Sequence, residues 1–307
     1  MSIPITEELI LREALISRVL DIANEFGGSL TRAQLGNVDF NGTKVRVIDI
    51  QGGIWNPGAA WKFEVPLQAT LSINTTLSDK YRDSEVESGL WRYDYQSGGS
   101  AGKNTKLRKA MQLQLPLLWF IQQEDGRYVP YKVWIIQDFP ELGYCHIAPD
   151  LSLAEILNDA SKQHTEIEKK YALREVKQRL HQPAFRANVI SAYKTRCSIC
   201  MLNHGKLLEA AHIIPDSDEG STTTIDNGIS LCKIHHAAFD NEFIGISPDY
   251  LVHVRKDLLT EVDGPMLKHG IQEMDKRELY LPMKDSAKPN KSALELRYEK
   301  FRRAFAS

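Results

Sequence analysis

Apolar residues recur at helical spacing near the N-terminus and then give way to short β-rich runs, so the chain is built in two ways along its length. Leu9, Ile10, Leu15, Val19, Ile22 and Phe26 predict an amphipathic helix over 6–25, with Gly27-Gly28 as its stop. From Lys44 to about Asp138 the pattern changes. Val45-Arg46-Val47-Ile48, Ala69-Thr70-Leu71-Ser72-Ile73, Leu117-Leu118-Trp119-Phe120-Ile121 and Tyr131-Lys132-Val133-Trp134-Ile135-Ile136 read as strands punctuated by Gly, Pro, Asn and Asp. A β-barrel or strongly curved sheet fits them, with one helix over 105–114 packed against it. Apolar density then falls and charge rises after about residue 150, which places a linker at 156–170. A helix over 171–180 must end before Pro183, because proline disfavours helix in its predecessor and lacks a donor, and a second helix fits 184–193. Strands are expected at 207–214 and 228–231, a helix from Cys232 to about Asp240, strands at 243–246 and 251–254, and a charged closing helix at 292–303. The fold class is α+β, with an N-terminal domain at 1–155 and a C-terminal domain at 171–307.

Length agrees with two domains, since 307 residues exceed the usual size of a single core. Hydrophobic content of 42% and charged content of 25% are ordinary for a soluble globular protein. No apolar run is long enough to span a bilayer, and no secretory leader pattern is present. The expectation is therefore a cytoplasmic protein with no membrane partner. There are four cysteines, of which Cys145 stands alone and three cluster with histidines, a pattern of reduced, metal-holding thiols. The net charge of −2 does not advertise nucleic acid. Local runs do: Lys103, Lys106, Arg108 and Lys109, and later Lys169, Lys170, Arg174, Lys177, Arg179 and Arg186, can track phosphates, or they can be solvated helix faces.

The densest chemistry lies in Cys197-Ser198-Ile199-Cys200 and Cys232-Lys233-Ile234-His235-His236. Cys197, Cys200, Cys232 and His235 have the donor types and paired two-residue gaps of a closed tetrahedral zinc site. Cys232 and His235, three apart on a helix, share the face toward the Cys197-Cys200 knuckle, while His236 and Asp240, four apart, share a neighbouring face. His212, Asn227 and His236 are surplus to the zinc quartet. A His, Asn, His series threaded through a small zinc-stapled module resembles the HNH, or ββα-metal, endonucleases, and Ala-Ala-His-Ile-Ile-Pro with a later His-His-x-x-Phe-Asp resembles a branch of HNH restriction enzymes.

The resemblance implies that His212 is the general base of phosphodiester hydrolysis and that His236 ligates a single divalent ion, Mg2+, Mn2+ or Ni2+. Asn227 either orients the His212 loop or joins the metal shell. Asp240 is a candidate additional ligand. Many family members carry a ligand immediately before the base, where this chain has Ala211; Glu209 is an outside candidate to complete the shell.

Upstream, the series from Gln51-Gly52-Gly53-Ile54-Trp55-Asn56-Pro57 through Leu90-Trp91-Arg92-Tyr93-Asp94-Tyr95 to Leu115-Pro116-Leu117-Leu118-Trp119-Phe120 is similar to the SRA-like, PUA-superfamily sensors of HNH restriction endonucleases. That resemblance implies a barrel that reads modified cytosine, 5-methyl- or 5-hydroxymethylcytosine, in double-stranded DNA. Trp55, Trp91 and Tyr93 would offer stacking surfaces, Asp94 a polar edge, and Lys103, Lys106 and Arg108 phosphate contacts, as base extrusion requires; such aromatics also build ordinary cores. The expectation is a type IV, modification-dependent restriction endonuclease with structural zinc. One HNH site cuts one strand, so a homodimer is expected. Two alternatives stand beside it, an HNH nuclease indifferent to modification and a non-catalytic zinc-stabilised DNA reader.

Overall fold

Helix α1 (Ile5–Glu25) buries Leu15, Ile16, Val19 and Ala23 along one face, as its helical spacing predicts. The same face also carries Glu8 and Arg12, neither of them exposed. Arg12 donates to Glu8 Oε1 from Nε and Nη2, and to the carbonyls of Ala69, Thr70 and Pro116 at 2.7, 2.7 and 3.0 Å. Glu8 Oε2 accepts from the Gln68 backbone at 2.8 Å. All five N–H protons of Arg12 and both oxygens of Glu8 have a partner, the condition under which buried charge is tolerated. The computed structural model describes residues 3–49, 52–57, 66–77, 84–85, 90–96, 102–149, 182–216, 218 and 221–303. The expected linker at 156–170 and the helix at 171–180 lie outside them.

Two compact units divide the chain: Met1–Ala23 with Ser29–His181, and Asn24–Gly28 with Gln182–Ser307. In the first, a short helix α2 (Arg32–Leu35) opens with a capping box between Thr31 and Gln34 and leads into a hairpin of β1 (Val38–Phe40) and β2 (Thr43–Val45). The expected strand over 45–48 is therefore shifted, with Val47 and Ile48 buried but outside the ladder.

The main sheet takes β3 (Ile54–Trp55), β4 (Ser72–Thr75), β5 (Ser84–Glu85), β6 (Trp91–Asp94), β7 (Leu117–Gln122), β8 (Tyr128–Phe139) and β9 (Tyr144–Ala148) in the order β3-β4-β7-β8-β9-β6-β5. Among the described strands, only β4 and β7 run parallel. Arg12 occupies the carbonyls of Ala69 and Thr70, and β4 begins only at Ser72 rather than at 69. The order has two end strands, so among the described residues the sheet is open and no barrel closes. Helix α3 (Lys103–Gln112) buries Asn104, Leu107 and Ala110.

The second unit builds a core of Val189, Ile190, Tyr193, Leu208, Ala211, Ile213, Ile229, Leu231, Phe239 and Leu294, all nearly inaccessible. Each fully buried aliphatic side chain contributes on the order of 1.5–3 kcal/mol. Helix α4 (182–192) precedes the hairpin of β10 (Leu208–His212) and β11 (Gly228–Cys232), which pairs His212 with Gly228 and Leu208 with Cys232. Helix α5 (Lys233–Asp240) follows directly, then the hairpin of β12 (Ile244–Ile246) and β13 (Val252–Val254), and α6 (Lys291–Arg303) closes the unit. No helix among the described residues is long and apolar enough to cross a membrane.

Candidate functional site

Two clusters of chemistry lie on adjoining faces of α5. The first is buried. Its knuckle is shaped by Met201 N donating to Cys197 O at 3.0 Å and Cys197 N to Leu202 O at 3.0 Å, and it is tied to β11 by Ser198 N to Ser230 O at 2.7 Å. Cys232 is the N-cap of α5, yet its side chain makes no capping bond. It faces inward instead, with Sγ 3.2 Å from His235 Nδ1 and 4.0 Å from Cys200 Sγ, and Cys197 Sγ is 3.5 Å from the same nitrogen. The four donor atoms of Cys197, Cys200, Cys232 and His235 lie within 4.8 Å of one another.

His235 Nε2 contacts Gly270 O at 2.7 Å, which leaves Nδ1 to face the sulfurs. The thiols of Cys197 and Cys200 draw Cys232 far below the ordinary thiol range, while contacts with Cys200 and Cys232 push Cys197 up. Three cysteine sulfurs and one imidazole nitrogen turned toward one another are the donor types and number of a tetrahedral site, so the set fits a structural metal ion.

The second cluster is half-exposed. A pocket of about 380 Å³ is lined by Arg186, Glu209, His212, Asp216, His236 and Asp240, with Phe185 at its wall. His212 ends β10, and its ring stacks on Phe185 of α4 at 4.0 Å and 14°. Its Nε2 is buried and has no hydrogen-bond partner among the described residues. Burial lowers the His212 pKa below the ordinary imidazole value, opposed by the charge of Asp216.

Asn227, 4% exposed, clamps the turn after His212. Its Oδ1 accepts from Ile214 N at 2.9 Å, and its Nδ2 donates to Thr222 O at 2.8 Å and Ile214 O at 3.2 Å. Gly228 follows because space requires it: a Cβ there would meet Val189 Cγ2 at 2.4 Å and Phe185 Cζ at 2.8 Å. Its φ of −127° is one that any residue adopts.

On α5, His236 is held between two carboxylates, Glu209 Oε2 at 2.6 Å from Nδ1 and Asp240 Oδ2 at 3.1 Å from Nε2. The hydrogen bond with Asp240 raises the His236 pKa and correspondingly lowers that of Asp240. Arg297 of α6 approaches Asp240 Oδ1 at 3.4 Å. The structure thus brings His212, His236 and Asp240 to one pocket and sets Asn227 beside it. It adds Phe185, Asp216 and Arg297, which sequence reasoning did not single out, and gives Glu209 a defined contact. Asp216, four residues beyond His212, was the one with a local signal.

The first-unit candidates are dispersed in role. Tyr93 is 2% exposed and donates to Gly53 O at 2.9 Å, so it lies in the packed interior. Trp91 is half-buried and meets the fully buried Trp119 edge-on at 5.1 Å. Trp55 is half-buried, donates from Nε1 to Arg46 O at 3.1 Å and lies under the Arg46 guanidinium. Asp94 pairs with Arg92 at 2.7 Å, Lys103 with Asp49 at 2.5 Å and Arg108 with Asp138 at 2.5 Å, and Lys106 donates to Leu67 O at 3.2 Å.

A two-strand hairpin followed at once by a helix that carries both clusters is the ββα order. Residues 197–247 match the HNH endonuclease family. The matched segment contains the whole Cys/His cluster together with His212, Asn227, His236 and Asp240. Among solved structures, the chain is similar to the modification-dependent TagI restriction endonuclease, at 16% identity over 90% of this chain and 92% of that one, with a TM-score of 0.30. It is also similar to the SUVH5 SRA domain in complex with methylated CHH DNA, at 15% identity over 40% of this chain and 86% of that one, TM-score 0.29. A third is the type IV phosphorothioation-dependent restriction endonuclease ScoMcrA, at 14% identity over 54% of this chain and 49% of that one, TM-score 0.22. No curated protein matches the chain.

Proposed function

We propose that the chain is a modification-dependent restriction endonuclease that hydrolyses phosphodiester bonds in double-stranded DNA carrying 5-methyl- or 5-hydroxymethylcytosine. The observation that carries the hydrolytic half is the pocket in which His212 shares a wall with His236 and Asp240. Zinc is the ion that the Cys197, Cys200, Cys232 and His235 quartet suits best. His236 and Asp240 would hold the catalytic divalent ion, Mg2+, Mn2+ or Ni2+, which when bound supplies positive charge beside the scissile phosphate and the departing 3′ oxygen.

The side chains do the rest. His212 is neutral above its lowered pKa and can take a proton from the attacking water. Stacking on Phe185 fixes the ring, Asn227 fixes the loop behind it, and Asp216 lies close enough to favour the imidazolium that forms. One such pocket cuts one strand, so double-strand scission requires two copies acting together, as in a homodimer.

Modification dependence rests on the first unit. Its resemblance to SRA-like sensors and the half-buried Trp55, capped by Arg46, support a base-reading role. The deciding experiment digests matched unmodified, methylated, hydroxymethylated and glucosylated duplexes across Mg2+, Mn2+ and Ni2+. Preference for a modified duplex is the expected result. Equal cutting of all four would leave a nuclease without a modification sensor, and no cutting of any by the zinc-loaded protein would leave a DNA reader.

A further inference from the structure

The pocket holds one carboxylate that the mechanism above leaves unused. Glu209 Oε2 lies 2.6 Å from His236 Nδ1, and Asp240 Oδ2 lies 3.1 Å from His236 Nε2. The two contacts differ in length and in the ring nitrogen they reach. Adjacent donors in an octahedral shell with bonds of roughly 2.1 Å stand about 3 Å apart, so the Nε2 edge and Asp240 suit a shared cation. The contact to Glu209 is instead the length of a short charge-assisted hydrogen bond.

The surroundings support that division. Asp240 Oδ1 is approached by Arg297 Nη2 at 3.4 Å, and Arg297, 8% exposed, also donates to Phe239 O at 3.1 Å, so Asp240 is oriented from α6. Glu209 is oriented from β10, where it pairs in register with Leu231. Ala211 is fully buried and offers no donor. The only ring nitrogen of His236 that can face an ion beside Asp240 is Nε2, which requires the proton to sit on Nδ1.

We propose that Glu209 is a positioning residue, accepting the Nδ1–H of His236 and thereby holding Nε2 toward the divalent ion that His236 and Asp240 bind. This rests on the nuclease reading of the pocket and adds to it which carboxylate is a ligand and which acts through the histidine. A carboxylate on the far nitrogen of a metal-bound histidine fixes its tautomer and orientation, and its loss weakens metal binding about 10–100-fold.

The test titrates Mn2+ into the zinc-loaded full chain by calorimetry for the parent, Glu209→Ala and Glu209→Gln, with zinc content and melting temperature read on the same samples. Glu209→Ala is expected to bind Mn2+ about 10–100-fold more weakly. Glu209→Gln, whose amide oxygen can accept the same N–H, is expected to stay near the parent. Glutamine losing as much as alanine would overturn the proposal in favour of a direct ligand, and it decides the matter even where alanine lowers the melting temperature. Unchanged affinity in the alanine variant of a protein that binds Mn2+ and cuts DNA would overturn this inference alone. A parent that binds no Mn2+ and cuts nothing would overturn the nuclease reading together with it.

Discussion

His235 and His236 are neighbours on one helix and serve opposite environments. His235 is 2% exposed, faces two sulfurs through Nδ1 and has its other nitrogen on Gly270 O. The His236 side chain is 23% exposed and lies between Glu209 and Asp240 in an open pocket. One step along a helix rotates a side chain by about 100°, enough to move from a closed thiolate shell to a wet carboxylate one. Closed, soft donors leave no room for substrate and serve stability; half-exposed, hard donors leave room for water and phosphate. The hairpin β10–β11 supplies both faces from a single ladder, so the fold that holds one also aims the other.

Disrupting the closed face has the largest expected effect. Binding of a structural dication is folding free energy, about 10–16 kcal/mol in small zinc peptides, so Cys232→Ser or chelation should abolish the cooperative melt of the second unit along with any cleavage. Calorimetry with zinc stoichiometry measures this, and an unchanged melt after complete zinc removal would erase the contrast between the two faces. His212→Ala acts on the open face alone. It should lower single-turnover cleavage about a hundredfold to ten-thousandfold, the contribution of a positioned general base, while zinc content and melting temperature stay at parental values. Cleavage at the parental rate would remove His212 from the chemistry.

Asn227→Ala lies between the two. It removes the partner of Ile214 N and one donor each from the Ile214 and Thr222 carbonyls, of which Ile214 O keeps Ser221 Oγ at 3.0 Å, so the loss is about 1–3 kcal/mol for the amide left unsatisfied. Urea unfolding should show that loss, and cleavage should fall by less than in His212→Ala. Reduced stability with an unaltered rate would mean that the turn does not set the geometry of His212.

The contrast also explains what the sequence made legible. Cys197, Cys200, Cys232 and His235 sit in paired gaps, and His236 and Asp240 one helical turn apart, so local periodicity alone foreshadows their faces. Glu209 escapes that logic. A strand alternates its faces, which sets Glu209 and His212 at opposite parity, yet both line the pocket. In the first unit, strand order is the obstacle: β6 lies between its sequence neighbour β5 and the distant β9, β4 lies beside β7, and Lys103 finds Asp49 54 residues away. Whether Trp91 meets solvent or Trp119 is set by such distant pairings and leaves no local trace. Glu8 and Arg12 are hidden for a related reason, since a charged pair on the buried face of α1 contradicts the amphipathic pattern and is tolerated only because backbone carbonyls from three separate positions converge on it.

The smallest expected effect separates packing from chemistry most finely. Gly228 faces His212 across the ladder, and α4 crosses close above it. Gly228→Ala would drive a methyl toward Val189 Cγ2 and Phe185 Cζ, which at 2.4 and 2.8 Å must give way. Overpacking of this kind costs about 1–3 kcal/mol, and because Phe185 is the surface on which His212 stacks, its displacement should be felt at Nε2 as well. The melting temperature should fall modestly, and the cleavage rate should fall while Mn2+ affinity is retained, since neither His236 nor Asp240 touches α4 through this contact. A compensating Val189→Ala makes room for the methyl. Recovery of stability with the rate still low would place Phe185 in control of His212, whereas recovery of both would show that the glycine matters for packing alone.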